Sequence, residues 1–269
     1  MSSEGTLIET VKMSGERQMA LDVILLNNSI SQSILTPVVR FYEWEGPYLS
    51  IGRNQKQIPN HWLDLAKKGK IILVRRPSGG GGVLHSCGLT YSIIWPKPTF
   101  SIKQSYIQTC KWFLKGFKEL GLALEFGTQP YNSINENCFS SSSNADLVDS
   151  EGNKRIGSAQ YWKKGNLLQH GEIILDPPGK LWEEIFNSKP PNKSLINISP
   201  EILKENLINS LSACWPKQTW KIRSLNNNEI LQIESEAKNY LFCDSKSVFL
   251  TNPNKTIDST TLGKDMPKG

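Results

Sequence analysis

Four consecutive glycines behind two arginines form the part of the chain best suited to bind a small molecule. They are Gly79, Gly80, Gly81 and Gly82. Glycine has no Cβ and adopts positive φ freely, so such a run can curl closely around another molecule and present its N–H groups. The run therefore predicts a loop that binds a ligand with oxygens, such as a carbonyl, a carboxylate or a phosphate.

Polar side chains flank this glycine run. Arg75 and Arg76 precede it, and a guanidinium fork suits a pair of oxygens, so we expect them to anchor the polar end or a phosphate of a ligand. Neighbouring side chains on a strand point to opposite faces, so one arginine is expected to face inward while the other meets solvent. Ser78 opens the run and is either a hydrogen-bond donor to the ligand or only a turn residue.

Histidines and cysteines are the other reactive side chains. His85 follows the glycine run, and His170 precedes Gly171. Each is either a general base or a hydrogen-bonded structural histidine. The five cysteines form no CxxC pair and there are only three histidines, so the spacing of metal ligands is absent. By residue type alone, Cys138 is typical of a buried apolar thiol.

Helices and strands alternate around these residues. The clearest helix follows residue 101, where apolar residues recur at three- and four-residue steps until Gly121. Residues 145–148, 154–162 and 167–175 are separated by turn-rich stretches, which predicts an antiparallel meander. The other predicted strands are residues 38–44, 48–52, 71–74 and 89–95, and the other predicted helices are residues 14–28, 60–68 and 181–186, one from residue 199 and one over 226–241.

The size and composition predict one large domain with a small appendage. We expect residues 1–198 to form a catalytic domain, 199–242 a small helical subdomain and 243–269 a mobile tail. The net charge is +6, from 31 basic and 25 acidic residues, and no long basic stripe with aromatics appears, so nucleic acid is not an expected partner. Without an apolar run of about 20 residues or a signal peptide, we expect a cytoplasmic protein that does not enter membranes.

Four ordered motifs make the chain resemble the biotin/lipoate protein ligase superfamily, and within it the lipoate ligases and the LipM-type octanoyltransferases. The motifs are residues 75–85, Cys138-Phe139, residues 154–160 and residues 168–171. The resemblance implies a mixed α/β (α+β) fold with a largely antiparallel sheet packed against helices. It also implies a lipoyl or octanoyl ligand, whose tail would contribute on the order of 5 kcal/mol if buried.

The resemblance assigns roles to residues of the third motif. Lys154 matches the lysine that this superfamily places at the activated carboxyl carbon, where an ammonium binds the carbonyl oxygen as negative charge develops. Backbone N–H groups near Gly157, Ser158 and Ala159 would complete this oxyanion site. By spacing alone, a lysine after Glu-Gly-Asn is a solvated turn residue.

Cys138 distinguishes the two branches of the family. LipM-type transferases carry a nucleophilic cysteine at the matching position, whereas lipoate ligases activate their acid with ATP. A thiolate accepts the acyl group of octanoyl-acyl carrier protein, and a lysine of a lipoyl carrier domain then attacks the new thioester. Because a straight strand would place Cys138 well over 10 Å from Lys154, at about 3.3 Å per residue, residues 140–143 must fold the cysteine back for the two to meet.

The leading interpretation is therefore an octanoyltransferase that needs no cofactor and acts as a monomer. The expected carrier is the glycine-cleavage H protein or the acyltransferase subunit of a 2-oxoacid dehydrogenase. The alternatives are an ATP- and Mg²⁺-dependent lipoate ligase and a non-catalytic binder of lipoyl or acyl groups. One departure from the family is Ser86, where many relatives carry an acid after the motif histidine.

Overall fold

The computed structural model of the protein describes residues 3–127, 146–191 and 198–242. Strands and helices alternate along the chain and build two sheets. Cys138 and the predicted tail of residues 243–269 lie outside the described residues, so the predictions made for them are not tested by the structure.

An eight-stranded sheet forms the centre of the molecule, and a three-stranded sheet stands beside it. The eight strands have the order β11-β1-β2-β6-β10-β9-β8-β7, and the three have the order β4-β3-β5. Five of the seven pairings in the large sheet are antiparallel; β1 is parallel to both of its neighbours. The strands are β1 (Ser3–Met13), β2 (Val38–Trp44), β3 (Tyr48–Ile51), β4 (Ile72–Arg75), β5 (Val83–His85), β6 (Leu89–Trp95), β7 (Glu125–Phe126), β8 (Leu147–Val148), β9 (Lys154–Lys163), β10 (Asn166–Ile173) and β11 (Gln218–Arg223).

Helices pack on both faces of the large sheet and against the small sheet. They are α1 (Gly15–Ser31), α2 (Asn60–Lys67), α3 (Ile102–Glu119), α4 (Gly179–Phe186), α5 (Pro200–Asn209) and α6 (Asn227–Glu236). One core contains apolar residues of α1 together with Val38, Ile94 and Leu168 of the sheet. The core on the opposite face packs α3 and α5 against the other side chains of the same strands. The alternation of side chains along each strand therefore assigns every site residue to one of two faces.

The local sequence supplies the caps at the first turns of two helices. Helix α3 begins with a capping box, in which the Ser101 hydroxyl accepts from the backbone N–H of Gln104 while the Gln104 side chain accepts from the N–H of Ser101. Asn226 and Glu229 form the same motif at the start of α6. These caps satisfy N–H groups that have no partner inside the helix.

Most of the predicted elements are present, and the predicted mixed α/β fold is confirmed. Four strands were not predicted: β1, β5, β7 and β11. Residues 199–242, predicted as a small helical subdomain, contain the two expected helices and also β11, which pairs with β1 at the edge of the large sheet. Helix α5 of this segment packs through Leu203 and Leu207 into the same core as α3.

Candidate active site

The buried side chain of Arg76 is hydrogen-bonded to the backbone of the glycine loop. Its side chain is 5% exposed, and its Nη2 atom donates to the carbonyls of Gly79 and Gly81, each at 2.7 Å. Its Nη1 atom donates to the carbonyl of Ser50 on β3 at 2.8 Å. A trans peptide unit is planar with its C=O and N–H opposed, so the N–H of Gly80 points away from Arg76. The guanidinium therefore orients the peptide groups of the loop, with the carbonyls of Gly79 and Gly81 directed towards Arg76.

The loop also rests on the segment that follows β3. The N–H of Arg53 donates to the Ser78 carbonyl at 2.8 Å. A Cβ built on Gly52 would lie 2.0 Å from the carbonyl oxygen of Gly80, so only glycine allows this approach. Arg75 is half-buried and donates to the carbonyls of Gly52 and Gln55. Both arginines are thus hydrogen-bonded to backbone, and their predicted role as ligand anchors stays a prediction.

Ser78 and His170 meet although 92 residues separate them in the chain. The Ser78 Oγ atom lies 2.5 Å from His170 Nε2, and His170 Nδ1 lies 2.9 Å from Asp22 Oδ2 on α1. Burial acts to raise the pKa of Asp22, but the Arg40 guanidinium and His170 outweigh it, so the pKa is lowered and the group is a carboxylate. Since that carboxylate only accepts, His170 Nδ1 carries a proton and orients the ring towards Ser78.

A second buried histidine makes a similar pair of contacts. His85 lies with Nε2 at 2.8 Å from Ser50 Oγ and with Nδ1 at 2.8 Å from Glu172 Oε2. The indole of Trp44 stacks on the ring, with centroids 3.9 Å apart. Burial lowers the pKa of His85, and the opposing effect of Glu172 does not compensate, so the ring is neutral.

Lys154 is a buried ammonium with a carboxylate partner. Its Nζ atom lies 2.9 Å from Asp146 Oδ1, and the two side chains are only 6% and 7% exposed. The next residue, Arg155, pairs with Asp149 at 2.5 Å, and Asp149 also accepts from the backbone N–H groups of Glu151 and Asn153 in the turn before β9. The first residues of β9 are therefore fixed by two ion pairs. Lys154 is not a solvated turn residue.

The third and fourth motifs lie side by side. Strands β9 and β10 place Ser158 opposite Gly171 and Ala159 opposite His170, and Gly157 lies opposite Glu172. A Cβ on Gly171 would lie 2.3 Å from the Gly157 carbonyl oxygen and 2.8 Å from the Tyr91 ring. The Ser158 hydroxyl bonds to the Tyr91 hydroxyl at 2.6 Å. The absence of a side chain at Gly171 thus allows β9 and the Tyr91 ring to pack closely against β10.

The structure brings some of the predicted site residues together. The glycine loop reaches His170 through Ser78, and His170 and Gly171 pair with residues 157–159, which share β9 with Lys154. Sequence reasoning missed the three carboxylates that hold this arrangement: Asp22, Asp146 and Glu172. Asp22 could have been found from the sequence, because it is a charged residue within the apolar stripe of α1. The structure shows that it is fully buried.

The described cysteines differ in exposure. Cys110 is buried in the core, and Cys214 is mostly buried; burial raises the pKa of each thiol to about 12. Both are therefore protonated at neutral pH and unsuited to nucleophilic attack. Cys87 is exposed.

An open cavity of about 660 Å³ lies at the ends of β2 and β10. His85 and Glu172 form part of its wall, together with Trp44, Cys87 and Asp176. Within residues 3–127, 146–191 and 198–242, no group of three or more His, Cys, Asp or Glu side chains has the arrangement of a metal site. No helix in the described part of the chain is long and apolar enough to span a bilayer.

The fold and site define an enzyme of the acyl-transfer type. A loop with bare backbone can approach a carbonyl group closely, and a buried ammonium can stabilise the negative charge that develops on its oxygen. The sequence model of the family described as "Lipoyl protein ligase A/B catalytic domain" matches residues 14–222. The chain belongs to this family, as its motifs predicted.

Curated relatives that carry the name Octanoyltransferase LipM include the proteins of two bacteria. The protein of Halalkalibacterium halodurans is 39% identical over 65% of this chain and 68% of its own length. That of Brevibacillus brevis is 34% identical over 96% of this chain and 93% of its own.

Solved structures share the fold at lower identity. A lipoate-protein ligase A bound with ATP has a TM-score of 0.71 and 17% identity, covering 88% of this chain and 94% of that chain. A Thermoplasma acidophilum protein with bound lipoic acid has a TM-score of 0.73 and 20% identity, covering 88% and 95%.

Proposed function

We propose that the protein takes an octanoyl group from acyl carrier protein onto Cys138 and passes it to the lysine of a lipoyl carrier domain. Octanoyl transfer in protein lipoylation, predicted from the sequence, is confirmed by the relatives at 34–41% identity. The route through Cys138, the carrier proteins and the independence from ATP are the parts that we propose.

The buried ammonium of Lys154 is the structural observation that supports acyl transfer in this proposal, and the presence of Cys138 in the sequence is what favours the thioester route. Removing an ammonium from water is costly, and Asp146 offsets that cost. A fixed positive charge at this position is suited to a carbonyl oxygen that becomes negative during the reaction. The strand that carries Lys154 pairs with the strand that contacts Ser78 at the start of the glycine loop.

The chemistry consists of two thioester steps. The Cys138 thiolate attacks the carbonyl carbon of octanoyl-acyl carrier protein, a new C–S bond forms, and the carrier thiolate leaves with the electrons of the old bond. The neutral amine of the acceptor lysine then attacks the second thioester. An amide forms, the amine proton passes to water, and the Cys138 thiolate is restored. Because a thioester is already activated, no adenylation is required.

A mass-spectrometric experiment tests the route. The protein is mixed with octanoyl-acyl carrier protein, and the intact mass is expected to rise by one octanoyl group that hydroxylamine removes. Cys138→Ala abolishes the adduct and the transfer to a lipoyl domain, whereas Cys87→Ala, the loss of an exposed thiol, changes neither. A fully active Cys138→Ala protein would refute the thioester route.

Two further conditions separate the alternatives. If lipoate and ATP together give lipoyl domain and pyrophosphate, while octanoyl-acyl carrier protein gives nothing, the protein is a ligase. If octanoyl groups are retained without turnover and Lys154→Ala has no effect, it is a binder. We expect transfer without added nucleotide, and at the same rate after treatment with a chelator.

A further inference from the structure

Four buried polar side chains form a continuous hydrogen-bonded series behind the glycine loop. Arg76 Nη1 donates to Ser50 Oγ at 3.2 Å, Ser50 Oγ lies 2.8 Å from His85 Nε2, and His85 Nδ1 lies 2.8 Å from Glu172 Oε2. Glu172 is on β10, outside the residues for which the sequence indicated a role. The series ends at Arg76, the residue that binds the carbonyls of the loop.

The direction of every hydrogen bond in this series is determined by its two ends. A guanidinium only donates, so the Ser50 oxygen accepts from Arg76. A carboxylate only accepts, so Nδ1 of the neutral His85 ring carries the proton that Glu172 accepts, and the unprotonated Nε2 accepts the proton of the Ser50 hydroxyl. A ring protonated at both nitrogens would place two donors on the Ser50 oxygen and leave the Ser50 proton without this acceptor.

The surroundings hold Glu172 and His85 in place. The Thr90 hydroxyl donates to the same Glu172 oxygen that accepts from His85, and the indole N–H of Trp44 donates to Thr90 at 2.7 Å. A Cβ on Gly88 would lie 2.0 Å from the other carboxylate oxygen, so the glycine leaves room for the group. Trp44 also covers one face of the imidazole.

We propose that Glu172 is a positioning residue that acts through His85 and Ser50 on Arg76 and thereby fixes the glycine loop. In this assignment His85 is a hydrogen-bond acceptor for Ser50, and neither His85 nor Glu172 takes a proton from the substrate. The effect on catalysis rests on the proposed octanoyl transfer. The effect on the loop does not depend on it.

Three variants separate positioning from a general loss of packing. Glu172→Leu removes the acceptor at similar volume, Glu172→Gln keeps an acceptor oxygen for His85, and Ser50→Ala breaks the series at its centre. Ser105→Ala is the matched control, because its hydroxyl is equally buried and hydrogen-bonded but lies on α3, against the opposite face of the large sheet.

The first measurements need no substrate. Hydrogen exchange of the peptide that covers residues 76–85 is expected to be about tenfold faster in Glu172→Leu and Ser50→Ala, and unchanged in Ser105→Ala. Nitrogen chemical shifts of the His85 ring should show the Nδ1-protonated tautomer in the wild-type protein and in Glu172→Gln. Unaltered exchange in Ser50→Ala, or an Nε2-protonated ring in the wild type, would overturn the proposal.

The kinetic measurement uses octanoyl-acyl carrier protein and a lipoyl domain. Glu172→Leu and Ser50→Ala should lower kcat about five- to tenfold, the effect of one lost hydrogen bond, with KM for the carrier within about twofold, while Glu172→Gln restores kcat. If the wild type transfers no octanoyl group, the proposed function fails while the exchange and tautomer results still decide the positioning role. If Glu172→Leu does not fold, Ser50→Ala carries the test.

Discussion

Gly52→Ala is a sharp test of how the glycine loop is built, because Gly52 lies outside the glycine run. A Cβ at this position would lie 2.0 Å from the carbonyl oxygen of Gly80 and 3.0 Å from its carbonyl carbon. Both are backbone atoms, so no side-chain rotation relieves the overlap. The loop must move away from Gly52 by about 1 Å or more to restore ordinary contact.

The expected consequence is a large loss of activity with a modest loss of stability. A misplacement of about 1 Å at a reacting centre can cost on the order of 100-fold in rate. Overpacking of this kind costs about 1–3 kcal/mol of the free energy of unfolding, too little to unfold a stable domain. We expect octanoyl transfer by Gly52→Ala to fall about 100-fold in kcat, with a cooperative urea transition retained.

Gly79→Ala is the matched control, within the glycine run itself. A Cβ on Gly79 would have no heavy atom within 4 Å. Its free energy of unfolding should stay within about 1 kcal/mol of the wild type, because alanine restricts the unfolded chain without a clash in the folded one. The reasoning is refuted if Gly52→Ala keeps wild-type kcat, or if Gly79→Ala destabilises the protein as much as Gly52→Ala does.

Two further changes test the buried charges. Asp146→Asn removes the carboxylate beside the buried Lys154 ammonium. We expect the free energy of unfolding, measured in urea, to fall by about 3 kcal/mol and the rate of octanoyl transfer to fall as well. An unchanged urea midpoint would contradict this prediction. Burial lowers the pKa of His85 in the folded protein, against the opposing effect of Glu172. The histidine of the unfolded chain has a pKa of about 6.5, so as the pH falls the unfolded chain binds the proton first. Stability is therefore lost below about pH 6.5, and His85→Gln should reduce the loss between about pH 7 and about pH 5.5 by about 1 kcal/mol; an identical pH dependence in both proteins would exclude this contribution.

Local signals predicted most of the elements and could not predict four of the strands. Strand β2 is visible because β-branched and aromatic residues dominate it, and helix α3 is visible because its apolar residues recur with the period of a helix. Strands β5 and β7 have three and two residues, too few to show a period, and β11 alternates between exposed and half-buried positions at a sheet edge. Strand β1 supplies a parallel partner for β11 from the other end of the described chain, a pairing that no local pattern contains.

In the candidate site, too, some features could be predicted from the sequence and others depend on the fold. Its glycines, Lys154 and Cys138 stand in ordered motifs, and these identified the family. The chain gives no sign that Asp146 would meet Lys154 or that Asp22 would meet His170, because a carboxylate in an element has many possible partners until the elements pack. Arg76 was expected at a ligand, and its contacts with Gly79 and Gly81 depend on how the loop closes.

By itself the sequence determined the class of protein and most of its elements and indicated residues suited to acyl transfer, because these depend on residue type and on spacing along the chain. Only the tertiary structure decided which side chains are buried charges and which charge each of them meets. The partners of Lys154, His170 and His85 are supplied by other elements of the fold. Burial makes such pairs necessary, since an ion removed from water is tolerated only where another group compensates it.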